Sequence, residues 1–137
     1  MGVLTVFLEK LTHLRDEDFL GKSDPYVTFE LEKDNWVFDQ SLGKNKSSVK
    51  KNTCNPVFEE TFEFENVPTT DNMLLHVKVW DEDVGKDDNL GKCIVKLEKL
   101  GIESGGEAEI EQVIDNKKGE GWFSRKARAY LKVKFEP

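Results

Sequence analysis

The sequence predicts an all-β fold, a two-sheet antiparallel β-sandwich with Greek-key connections, on three observations. Apolar residues alternate with polar ones in run after run, the period of a strand with one buried face. Turn-forming clusters separate those runs. The resulting spacing leaves room for about eight short strands in one domain, residues 1–137.

The first run carries Leu4, Val6 and Leu8 on one face, within Val3 to Lys10. Val27, Phe29 and Leu31 alternate in the second, and Phe58, Phe62 and Phe64 share a face of the third. Leu75, Val77 and Val79 do the same within Met73 to Trp80. In the final run Ala129, Leu131, Val133 and Phe135 oppose Tyr130, Lys132 and Lys134. Between them lie Gly21-Lys-Ser-Asp-Pro, Lys33-Asp-Asn, Asn55-Pro, Val67-Pro, Gly85-Lys-Asp-Asp and Gly105-Gly106. Lys96 to Ser104 has room for a short helical turn, and Glu107 to Asp115 reads as strand or irregular helix. Residues 36–49 are expected to form a long hairpin turning near Leu42-Gly43-Lys44.

The chain has 137 residues, of which 34% are charged and 37% hydrophobic, with a formal net charge of −7. That charge argues against nucleic acid and against membrane binding by bulk attraction. No apolar run approaches the roughly 20 residues of a membrane span. Met-Gly-Val-Leu-Thr-Val lacks a charged leader, so no signal peptide is expected, and Val6 stands where myristoylation wants Ser or Thr. Cys54 and Cys93 have no metal or disulfide spacing and read as thiols of a reducing cytosol.

Two acidic segments follow strand-like runs. One is Asp18-Phe-Leu-Gly-Lys-Ser-Asp24, and the other runs from Asp81-Glu-Asp83 to Asp87-Asp88. A sandwich gathers its loops at its ends, so carboxylates distant in sequence converge there and repel unless a cation neutralises them. Hard oxygen donors suit calcium, Ca2+. The alternative is a pair of solvated hairpins, since Asp is common in turns. An EF-hand is excluded: Gly85 sits one place early, Lys92 stands where the last Glu belongs, and the flanks are strands.

Four motifs, Gly21-Lys-Ser-Asp-Pro-Tyr-Val27, Asn55-Pro-Val-Phe-Glu-Glu-Thr-Phe62, Val79-Trp-Asp-Glu-Asp83 and Asp88-Asn-Leu-Gly91, occur in an order that resembles the C2 domain. The resemblance implies an eight-stranded sandwich that binds calcium between its loops and docks on anionic phospholipid. It implies ligands at Asp18 and Asp24 in loop one and at Asp81, Asp83 and Asp88 in loop three. Loop three is about one residue shorter than the common form, which leaves Asp87 as a rival to Asp88. Glu17 and Glu82 flank the ligands where a backbone carbonyl typically contributes. A first strand that runs straight into loop one, with the final strand at the other end of the sequence, resembles the type II arrangement.

Two calcium ions would bring the charge from −7 to −3, all at one tip. Phosphatidylserine would then be attracted rather than repelled. Phe19, Leu20 and Val84 would enter the headgroup region, with Lys22 and Lys86 beside lipid phosphates. Lys44, Lys46, Lys50 and Lys51 form the clearest basic cluster. Lys46 and Lys50 share strand parity, and in related domains a lysine-rich strand here binds phosphoinositides. The rival reading is an edge guarded against strand pairing. Trp122-Phe123 reads as a packed loop. There is no Gly-rich phosphate loop, nucleophile motif or zinc spacing, so no enzyme is expected. The expectation is a monomeric, cytoplasmic module that moves to the inner face of a membrane when calcium rises. The alternative is a protein-interaction adaptor whose loops calcium only stabilises.

Overall fold

The computed structural model describes residues 1–14, 23–115 and 126–137. Its eight strands are β1 (Gly2–Thr12), β2 (Pro25–Lys33), β3 (Gln40–Lys46), β4 (Val57–Val67), β5 (Met73–Asp81), β6 (Asp88–Lys96), β7 (Gly106–Val113) and β8 (Arg128–Glu136). A short 3-10 turn, Leu97–Leu100, follows β6. The strands form two four-stranded antiparallel sheets, ordered β4-β1-β8-β7 and β3-β2-β5-β6. No helix among the described residues is long and apolar enough to cross a membrane.

Period two makes the core. Leu4, Val6 and Leu8 of β1 are fully buried, as are Val27 and Leu31 of β2 and Leu75, Val77 and Val79 of β5. Ala129, Leu131, Val133 and Phe135 of β8, beside β1, line the same core opposite β2 and β5. Phe62, partly buried, meets Phe29 across the two sheets with ring centroids 5.1 Å apart. Edge-tilted pairs of this kind favour one packing over its alternatives. Glu107 to Val113 lies within β7, which resolves that stretch as strand.

One expected turn is displaced. Leu42-Gly43-Lys44 lies inside β3, and the β2–β3 hairpin turns at 34–39, on the Lys33-Asp-Asn signal. Gly43 has φ 140° and sits where the register slips between Leu31 and Glu32. A Cβ there would lie 3.3 Å from the Phe64 ring. This glycine serves a bulge and a close approach, and a bulge reads like a turn from sequence alone.

The strand directions fix two ends. Thr12, Pro25, Asp81, Asp88 and Arg128 gather at one end, since Pro25 pairs with Asp81 and Asp81 with Asp88. Gly2, Lys33, Met73 and Glu136 mark the other, where Lys33 pairs with Met73 and Val3 with Glu136. Strands of this length separate the ends by about 30 Å.

Candidate functional site

Asp24, immediately before β2, ties three segments together. Its backbone N–H donates to Asp81 Oδ1 at 2.8 Å, and its carbonyl accepts the Glu82 N–H at 3.0 Å. Its Oδ1 accepts the Asn52 N–H at 2.6 Å, from the loop between β3 and β4. Ser23 beside it is buried and accepts the Thr53 N–H through its carbonyl. Segments that start far apart in sequence are thus held together by backbone N–H groups donating to carbonyl and carboxylate oxygens.

Asp81 is half-buried at the end of β5. Burial pushes its carboxyl above the usual range, and the charges of Asp24, Asp83 and Asp88 push the same way, against the lowering effect of the Asp24 N–H. A group disfavoured in its charged form by like charges is suited to a cation.

Asp87 is used differently. Its Oδ1 accepts the Asp83 N–H at 3.0 Å, and its Oδ2 accepts the Tyr26 hydroxyl. The Tyr26 bond, then the Asp83 N–H, hold its carboxyl below the usual range. Burial and this acidic partner push the Tyr26 phenol up to about 12. Both oxygens of Asp87 therefore have partners outside the Asp24–Asp81 group. Asp88 is exposed, lies opposite Asp81 in the register, and bears on its charge. The carboxylate of Glu82 accepts Lys51 Nζ at 2.9 Å. Val84 is 100% exposed at the loop tip, and Lys86 is exposed beside it. Glu17, Asp18, Phe19, Leu20, Lys22, Trp122 and Phe123 lie outside the described residues.

The donor set fits calcium in kind, being carboxylates and backbone carbonyls. Among the described residues no three His, Cys, Asp or Glu side chains are gathered closely enough to hold a metal ion.

Lys46 does not share a face with Lys50. β3 ends at Lys46, so strand parity does not reach Lys50, whose Nζ lies 5.9 Å from the Phe58 ring centre. Lys46 Nζ instead lies 4.5 Å from the Tyr26 ring centre. With Lys44, Thr28, Lys78 and Trp80 it lines a cavity of about 530 Å³ on the outer face of its sheet. Trp80 Nε1 donates to Thr28 Oγ1 at 3.0 Å across the floor of this face. Sequence reasoning missed Lys78 and Tyr26. The signal was present, because outward parity in β5 follows from inward Leu75, Val77 and Val79.

Residues 2–125 match the family model of the C2 domain. The chain is 36% identical over 110 residues to a calcium-dependent lipid-binding protein of Arabidopsis thaliana, covering 80% of this chain and 19% of that protein. It is 33% identical over 102 residues to synaptotagmin-5 of the same plant, covering 74% of this chain and 17% of the relative. The chain thus spans under a fifth of either protein's length. A C2 domain of plant extended synaptotagmin 1 superposes with a TM-score of 0.75 at 20% identity, covering 99% of this chain and 95% of that one. With two four-stranded sheets in this order and a family match over nearly its whole length, the chain belongs to the C2 domain family.

Proposed function

We propose that residues 1–137 form one non-enzymatic module that binds anionic phospholipid membranes in a calcium-dependent way. The observation that carries this reading is Asp81 at the end of β5, tied to the Asp24 N–H and opposite Asp88, its carboxyl disfavoured as an anion first by burial and then by the charges of Asp24, Asp83 and Asp88. Asp18, Asp24, Asp81, Asp83 and Asp88 are the side-chain ligands, with carbonyls near Glu17 and Glu82 as further donors. Asp88 takes the last position, because Asp87 is held by Tyr26 and the Asp83 N–H. The name of the Arabidopsis relative supports the lipid reading. We read the strand order as the type II arrangement.

Calcium, when bound, would supply positive charge at this tip and accept lipid phosphate or carboxylate oxygens as further ligands. The chain's own residues do the rest. The backbone knot at Asp24 keeps the loops together, Val84 with Phe19 and Leu20 enters the headgroup region, and Lys22 and Lys86 face lipid phosphates. The module is a monomer in the cytoplasm and meets the inner face of a membrane as calcium rises. Phosphatidylserine vesicles should sediment the wild-type protein at saturating calcium and not in chelator. Equal sedimentation in both conditions rules the reading out, and calcium binding without lipid binding favours the adaptor alternative.

A second lipid contact rests on the cavity beneath Lys44, Lys46 and Lys78. Its lining also carries Glu30, 3.7 Å from Lys44 Nζ, and Glu32, beside His76, so three ammonium groups outnumber two carboxylates there and suit a phosphorylated headgroup. Lys44→Ala with Lys46→Ala should weaken binding to phosphoinositide vesicles by about tenfold or more, at roughly one decade per 1.4 kcal/mol lost. Binding to phosphatidylserine in calcium should change little. Lys50→Ala should leave phosphoinositide binding unchanged, because Lys50 sits over Phe58 rather than in the cavity.

A further inference from the structure

Trp36, Val37 and Phe38 form the tip of the β2–β3 hairpin, 103%, 85% and 73% exposed. The tip stands at the end opposite the aspartates, where the Asp34 N–H donates to the Asn72 carbonyl at 2.8 Å. The core lacks none of these side chains, and single exposed hydrophobics are ordinary. Three in succession on a projecting turn, two of them aromatic, mark a contact surface.

The shape and charge of the tip select its occupant. Side chains this exposed are covered either by a deformable acceptor or by a preformed pocket of a partner. A bilayer interface covers such a tip without shape complementarity, and Trp is enriched at that depth. The flanking Asp34 and Asp39 are exposed and the turn carries no cation, so anionic lipid is disfavoured. Aromatic faces with neighbouring carboxylates complement a quaternary ammonium, the outermost group of a choline headgroup. We infer that the Trp36-Val37-Phe38 tip is a second membrane contact, selective for zwitterionic choline-headgroup bilayers and independent of calcium. It goes beyond the calcium reading and works on the opposite end of the domain.

The test uses phosphatidylcholine vesicles carrying brominated lipid, in chelator. Wild-type tryptophan fluorescence should be quenched, and Trp36→Phe should remove most of that quenching. Trp36→Ala with Phe38→Ala should lower partitioning onto phosphatidylcholine by about tenfold or more. Replacing part of the phosphatidylcholine with phosphatidylserine should weaken wild-type binding in chelator. Both substitutions fall on exposed side chains, so circular dichroism and calcium-dependent sedimentation with phosphatidylserine should match wild type. Absence of binding to phosphatidylcholine overturns the inference. So does equal partitioning of wild type and double variant, which would give the tip to a protein partner. Either failure leaves the calcium reading standing, because that reading is measured on different lipid and in calcium.

Discussion

Asp81→Asn combined with Asp83→Asn is expected to reduce phosphatidylserine sedimentation at saturating calcium to the level of wild type in chelator. Two carboxylates become neutral amides, so the loops lose both charge and their strongest oxygen donors. The fold should survive, because an amide oxygen at position 81 can still accept the Asp24 N–H. The metal-free protein gives a second readout. The Asp81 carboxyl is raised when folded, so the folded state holds this proton more tightly than the unfolded chain. Its contribution to stability is present at low pH and is lost as pH rises from the unfolded carboxyl value through the folded one. The variant lacks that loss. In chelator, its melting temperature relative to wild type should therefore climb as pH rises above the ordinary carboxyl value of about 4. A calcium-dependent step retained by the variant, or a gap that closes with rising pH, would refute the assignment.

Gly91→Ala should destabilise the protein by about 2–4 kcal/mol, from overpacking together with backbone strain. Gly91 has φ 144°, which a side chain rarely adopts. A Cβ there would lie 2.5 Å from Ile114 Cγ2 and 2.8 Å from the Asp115 carbonyl oxygen. Ile114 is fully buried, and Asp115 exchanges two backbone hydrogen bonds with Lys92, at 3.0 and 2.8 Å. The methyl group therefore meets both a fully buried side chain and pinned backbone, neither of which can swing away. Urea unfolding measures the loss. A decrease below about 1 kcal/mol, the size of an ordinary substitution, would show that the 114–115 crossing gives way easily.

Much of the fold was legible because one face of nearly every strand is dry. Leu75 to Val79 and Ala129 to Phe135 alternate without interruption, and Leu4 to Leu8 does so apart from Phe7. Gly43 misled because the same residue type serves a turn and a bulge, and only cross-strand register tells them apart. Lys50 was placed beside Lys46 by continuing an alternation past the end of β3. Of the candidate site, the acidic end was legible: Asp24, Asp81 and Asp88 lie at one end of the sandwich, with Asp88 opposite Asp81 in the register. The partner of Asp87 was not, because the Tyr26 hydroxyl reaches it from a strand 61 residues away in sequence. Nor did sequence single out Trp36 to Phe38, whose exposure is set by where the hairpin turns.

The central pair β1 and β8 bears on how the domain responds to force. Val3 pairs with Glu136, and the two strands run antiparallel through the middle of one sheet. A load pulling Gly2 away from Glu136 falls on one rung of the ladder at a time, starting at the end opposite the acidic loops. Antiparallel rungs lie perpendicular to the strands, so this load peels them like a zipper instead of shearing them together. Traction applied between Gly2 and Glu136 would thus open the domain from its far side, with the Asp24 knot among the last contacts to feel the strain.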